Sequence, residues 1–296
     1  DVGNLIVSIP EGSFAEPVDF KISTKSITNL NIDGIEVVSP LYVIDNSNAF
    51  SSKIIDLSFE FNNEETHYPM AFYYDSQANE IEMIPSCAED GILKIHTNHF
   101  SNIFIAQMSR DQLEKVKSSA DIATGFTPGM DDFSFVNRGS YAVPGGHCEG
   151  QSVGALWYFK NIRQKNMDDS STALYHLFDN NDLPFRTPDI WEDDSWLYRF
   201  ASSVHLDVTK GSYIYAMMYA EDIMDPSGIL GKGIDQNNWD AFYMSMALTG
   251  RPQLIGIYSG GSSGHAMIAY GIKGNKLYVA DPNYPGQERY IEFENG

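Results

Sequence analysis

Residues 145 to 159 read GGHCEGQSVGALWYF, a glycine pair and a lone cysteine followed by a run with helical apolar spacing. A thiol attacks only when ionised, and the partial positive charge at a helix N-terminus lowers a thiol pKa. Cys148 stands at such a helix start. Gly145 and Gly146 permit a sharp entry, and Val153, Leu156 and Trp157 are expected on the buried face of the helix. Such a nucleophile needs an imidazole, and the imidazole needs an acceptor that orients it. His265 opens the apolar run GHAMIAYGI, and Asp281 follows 16 residues later at the end of KLYVAD. A hairpin turning at KGN brings the two side by side, so that the carboxylate holds the ring's Nδ1–H. Asn283 is a second candidate for orienting the ring. The bland alternative is that Cys148 is a small buried hydrophobe and DPNYPG a turn rich in proline and glycine.

The remaining candidates are weaker. Cys87, in IPSCAED between two strand candidates, reads as a surface or edge residue. Two distant cysteines make neither a disulfide framework nor a zinc site, and the chemistry requires no metal and no organic cofactor. His147 adjoins Cys148 but faces another way at a helix start, and is expected to line the cleft. His176 and His205 lie in helical, aromatic surroundings as core or surface residues. WEDDSW (191–196) is either a substrate-facing loop or an acidic N-cap. The aromatic stretches 185–200 and 236–246 line a cleft or fill a core.

The elements that must position these residues change character along the chain. Residues 1–106 hold about eight short segments rich in β-branched and aromatic residues, among them VDFKIST, KIIDLSFEF and NIFIAQ. Turn residues separate them, which predicts an all-β antiparallel sandwich. SRDQLEKVKSSADIA (109–123) has helical spacing through Leu113, Val116 and Ile122, so 107–124 reads as a connecting helix and linker. Residues 125–296 begin with helices, one from Cys148 to about Gln164 and others around SSTALYHLFDN, DDSWLYRFASSV and NWDAFYMSMALTG. They end with the strands PQLIGIYSG, HAMIAYGI, KLYVADPN and RYIEFE, an α+β arrangement.

The 296 residues carry a formal net charge of −21, which argues against the backbone of a nucleic acid or an anionic membrane as a partner. No run of 18 apolar residues predicts a membrane span. The start, DVGNLIVSIP, lacks an initiator methionine and a charged-then-apolar leader, and is expected to be that of a processed product. The oligomeric state has no signature in the sequence.

The cysteine at a helix head, the late GHA strand and VADPNYPG together resemble the papain-like cysteine peptidase superfamily, closest to its bacterial branch with GG-x-C-x-G-x-S around the cysteine. The resemblance covers about residues 125–296. It implies acyl transfer on a peptide or protein substrate, with Cys148 as nucleophile, His265 as base and Asp281 as orienter. A sandwich joined to such a domain gives the expectation of a secreted or cell-surface bacterial hydrolase; family members often continue beyond the last sheet, so whether a strand or domain follows Gly296 stays open. Papain relatives carry a glutamine before the cysteine whose amide helps hold the oxyanion. Ala142 stands six residues before Cys148 here and cannot donate; Asn137 and Ser140 are the nearest candidates, Asn137 the better, with the Cys148 backbone N–H as a second donor. Losing such a donor costs about 10²–10³ in rate, so a catalytically silent binding or adhesion protein is the competing reading. A transglutaminase-like crosslinker would use the same residues.

VSIPEGSF near the start and TNHFSNIFIA near the end resemble the ZU-five-type β-sandwich domains of netrin receptors and ankyrins, over about residues 3–106. In some members the serine of His-Phe-Ser attacks the preceding carbonyl and breaks the chain, a role that would fall to His99, Phe100 and Ser101. That chemistry needs backbone strain. The preferred reading is that the motif is structural and the domain is a spacer or interaction module that presents the C-terminal domain.

Overall fold

The computed structural model describes residues 3–27, 30, 32, 34–61, 66–89, 91–119, 121–177, 197–208, 233–258 and 264–294. Most of this is antiparallel β-sheet, with a few helices. The chain divides into two compact units, the first holding residues 1–119 and the second most of the remainder.

In the first unit, β1 (Leu5–Ser8), β5 (Ile55–Glu60), β9 (Ile92–Thr97) and β8 (Cys87–Glu89) form one sheet in the order β1-β5-β9-β8. The other contains β2 (Lys21–Lys25), β4 (Leu41–Asp45), β10 (Asn102–Ser109), β6 (His67–Asp75) and β7 (Glu80–Ile84) in that order, with β3 (Glu36–Val37) also paired to β10. The period-2 pattern does the sorting. Ile55, Leu57 and Phe59 of β5 point into the core, where Leu93 and Ile95 of the same sheet meet Tyr42, Ile44, Ile103 and Ile105 of the other. Both sides of β10 are buried, because α1 (Arg110–Ser119) packs on β6 and β10 from outside. The apolar run IEVVSPLYVI forms two strands, β3 and β4, rather than one, since Pro40 lacks the N–H a continuous ladder needs. Cys87 lies on the edge strand β8, a strand of its own rather than a connection.

The second unit opens with β11 (Ile122–Ala123), so Ile122 belongs to a strand and not to the helix that ends at Ser119. α2 spans Cys148–Asn161, three residues short of the predicted end; a 3₁₀ turn, Arg163–Lys165, follows. The helix predicted over SSTALYHLFDN is a 3₁₀ turn, Ser170–Thr172, and the short α3, Leu174–Leu177. Residues 197–208 are helical (α4), and α5 spans Gly233–Thr249. WEDDSW (191–196) and most of SGGSSG (259–264) lie outside the described residues. The sheet comprises β12 (Gln253–Tyr258), β13 (Gly264–Lys273), β14 (Lys276–Ala280) and β15 (Arg289–Glu292); β11 and β12 pair with β13 on the side away from β14.

α2 packs against β12 and β13. Its core includes Phe126, Phe133, Phe135, Ala155, Phe159, Tyr198, Ile268 and Ala280. The expected buried face of α2 needs correcting. Val153 and Leu156 are half-buried and Trp157 is 54% exposed, whereas Gly150, Gln151, Ser152, Gly154 and Ala155 are buried. The cause is α4, which crosses α2 at its glycines. A Cβ on Gly150 would lie 1.8 Å from the Ala201 carbonyl oxygen, and one on Gly154 would lie 3.0 Å from the Phe200 ring. Helix contact at backbone distance selects small residues and turns the large apolar ones outward. In the 236–246 stretch, Trp239, Tyr243, Met244 and Met246 are buried, so it serves as core.

Candidate active site

The approach to Cys148 is a tight loop pinned at several points. Gly139, at φ +79°, presses on the Val143 carbonyl so closely that a Cβ would come within 2.5 Å of it. The Ser140 N–H and Gly146 N–H both donate to that carbonyl, at 3.0 and 3.3 Å. Tyr198 of α4 donates its hydroxyl to the Gly139 carbonyl, and Ser202 donates to Ser140 Oγ at 2.9 Å. Of the glycine pair, only Gly146 is required. It has φ +112°, and a Cβ would lie 2.9 Å from Asn137 Oδ1. Gly145 has no positive φ and nothing within 4 Å of a Cβ. The loop delivers a half-buried Cys148 as the first residue of α2, where backbone N–H groups have no helical partner.

His265 and Asp281 meet through the β13–β14 register. Ala280 pairs with Ile268, so Asp281 lies one step beyond, opposite Met267 and diagonal to His265. The ring nitrogen that meets the carboxylate is Nε2, 2.6 Å from Asp281 Oδ1. The expected Nδ1 contact is therefore corrected. The hydrogen bond to Asp281, then that to Cys148, raise the His265 pKa to about 9 against the opposing effect of burial. Burial pushes the Asp281 carboxyl up, but hydrogen bonds from His265 and the Asn283 N–H outweigh it, and the carboxyl sits below its ordinary value.

The loop after β14 is folded around this carboxylate. Asn283 N–H donates to Asp281 Oδ1 at 2.8 Å, and Tyr284 N–H to the Asp281 carbonyl, also at 2.8 Å. DPNYPG is thus both a turn and part of the site. Asp132 closes the loop from the other side, accepting from Gly129 N–H (2.6 Å) and Gly286 N–H (2.7 Å). Burial raises its pKa, and those two bonds oppose the rise.

Asn137 ties the cysteine loop to the aspartate loop. Its Oδ1 accepts the His147 N–H at 2.6 Å, its Nδ2 donates to Asn283 Oδ1 at 3.2 Å, and its own N–H donates to the Pro282 carbonyl at 2.9 Å. This chain fixes the Asn283 amide with Nδ2 toward His265 Nε2, 3.3 Å away. Nε2 donates to Asp281, so two donors face each other there; Asp281, not Asn283, orients the ring. One Asn137 amide hydrogen is committed to Asn283. Ser140 is fully buried and its hydroxyl serves the loop.

His147 does not line the cleft. It is 0% exposed, with its ring against Tyr198 (4.9 Å) and Phe135 (5.8 Å), and neither ring nitrogen has a hydrogen-bond partner. Burial, with a smaller contribution from His205, lowers its pKa to about 4. His205 is half-buried over Gly150, and His176 is exposed beside Tyr175. In the first unit, Phe100 is seated in the core edge-on to Phe20, and His99 stacks on Phe50. The His99 carbonyl accepts the Thr97 hydroxyl at 2.8 Å, and none of residues 99–101 has a positive φ.

Sequence reasoning missed Gly139 and Asp132. The signal for both is present in hindsight: a glycine nine residues before the cysteine, and an aspartate beside a Pro-Gly turn. Among the described residues no group of three or more His, Cys, Asp or Glu side chains could hold a metal ion, and no helix is long and apolar enough to cross a membrane. No family model, curated protein or solved structure matches the chain.

Proposed function

We propose that the second unit is a papain-like cysteine hydrolase that cleaves a peptide or isopeptide bond, presented by the N-terminal β-sandwich. The observation that carries this reading is His265, hydrogen-bonded through Nε2 to Asp281 at 2.6 Å, with Cys148 near enough to help raise the ring's pKa. The imidazolium stabilises the thiolate, and the thiolate attacks the carbonyl carbon. His265 then protonates the departing amine, and on deacylation it takes a proton from water. Asp281 holds the ring and compensates its charge. The tetrahedral oxyanion is placed against the Cys148 N–H and the remaining Asn137 amide hydrogen. Ala142, where papain relatives have a donor, favours the second reading, a silent scaffold that binds without turnover.

The deciding experiment is the pH dependence of Cys148 alkylation by iodoacetamide, in a Cys87→Ala background with His265→Ala as control. The enzyme reading expects reaction well below pH 8.5, the ordinary thiol value, and a return to that value without His265. A thiol indifferent to His265 sinks the enzyme reading and leaves the scaffold. Given an activated thiol, a lysine-analogue acceptor separates hydrolysis from amine transfer.

A further inference from the structure

Asp281 has two carboxylate oxygens, yet the bonds from His265 and from the Asn283 N–H both reach Oδ1. Asp281 lines a small, partly open pocket with Asp132, Gln151, Ser152, Ile268 and Ala280, with just enough room for one water molecule. Two polar atoms of these lining residues are buried without a partner, Ser152 Oγ and Gln151 Oε1. A serine inside a helix ordinarily returns its hydroxyl to the carbonyl one turn back, and Ser152 does not. The Gln151 amide is fixed by its Nε2 donating to the Phe135 carbonyl at 2.8 Å, which leaves Oε1 over. Buried polar atoms carry a desolvation cost unless a protein group or an ordered water satisfies them.

We propose that Ser152 and Gln151 hold a buried water against Asp281 Oδ2, which makes Ser152 a positioning residue for the His265–Asp281 pair. One water satisfies the whole set. It donates one hydrogen to Asp281 Oδ2 and the other to Gln151 Oε1, and it accepts the Ser152 hydroxyl. No proton is transferred. The water fixes the carboxylate plane with Oδ1 aimed at Nε2, and as a donor it favours the ionised carboxylate. The other charged groups around Asp281 are accounted for. His265 comes from β13, Asp132 is held by two backbone N–H groups, and Arg289 of β15 stacks on Tyr284.

The catalytic consequence rests on the function proposed above, but the test does not need activity. In the full chain, ring-carbon NMR follows the titration of His265 and carboxyl-carbon NMR that of Asp281, with Ser152→Ala compared to wild type. The expected result is a His265 midpoint moved down and an Asp281 midpoint moved up, each by roughly threefold to tenfold in proton affinity. Ser152→Thr keeps the hydroxyl and keeps the wild-type midpoints. Midpoints unmoved by Ser152→Ala, or moved equally by Ser152→Thr, overturn the proposal. Shifted midpoints in a protein whose Cys148 is not activated would retain the water and refute the enzyme. The converse pattern would retain the enzyme and remove the water.

Discussion

Replacing Asp281 by asparagine tests the core of the site. The rise of His265 from 6.5 to about 9 corresponds to ~3 kcal/mol in favour of the charged ring. The hydrogen bond to Asp281 is its largest cause and Cys148 the second, while burial works against both. Asparagine preserves shape and an acceptor oxygen but removes the charge. With Asp281→Asn the His265 midpoint should fall toward 7, by roughly 1.5 to 2 pH units, because the Cys148 contribution persists while burial still opposes it. Linkage adds a second readout. A folded-state pKa raised above the unfolded value stabilises fully below pH 6.5, and that stabilisation is lost as pH rises toward 9. Wild type should therefore lose ~3 kcal/mol of this contribution between pH 6.5 and 9, and Asp281→Asn should flatten the slope. Ring-carbon NMR, with His265→Ala assigning one signal among seven histidines, gives the midpoint. Urea unfolding at pH 6, 7.5 and 9 gives the slope. A midpoint that stays near 9 in the variant, or an unchanged slope, would refute the assignment of Asp281 as the ring's partner.

The buried His147 makes the opposite pH prediction. Its folded-state pKa is depressed to about 4, so the unfolded chain takes up the proton first and stability falls as pH drops from 6.5 toward 4. The loss reaches ~3 kcal/mol, and His147→Phe should reduce it; equal acid sensitivity of the two proteins by urea unfolding would disprove the point. The glycine pair offers a matched contrast measured by thermal unfolding. Gly145→Ala should stay within about 0.5 kcal/mol of wild type, whereas Gly146→Ala should cost about 1–3 kcal/mol through its positive φ and the Asn137 contact. The chain should also remain uncut at Phe100–Ser101 on a denaturing gel. Two fragments that disappear with Ser101→Ala would overturn the reading of this tripeptide as purely structural.

Much of the architecture was legible because it depends on local patterns. Alternation in KIIDLSFEF dictated a strand, since a strand with one buried face needs a period of two. The turn KGN and the length of the segments beside it dictated the β13–β14 hairpin, and with it the meeting of His265 and Asp281. Residue type alone also marked Cys148 as the thiol at a helix start. What the sequence left undetermined depends on partners far away in the chain. Whether Val153, Leu156 and Trp157 or the small residues of α2 face inward was decided by α4 crossing at Gly150 and Gly154, because helical spacing defines a stripe but not what it meets. The inward turn of His147, the choice of Nε2 over Nδ1, and the Asn137–Asn283 bridge across 146 residues likewise exist only once two loops are brought together. Hydrogen-bond geometry is a property of three-dimensional neighbours, and the chain order of residues does not carry it.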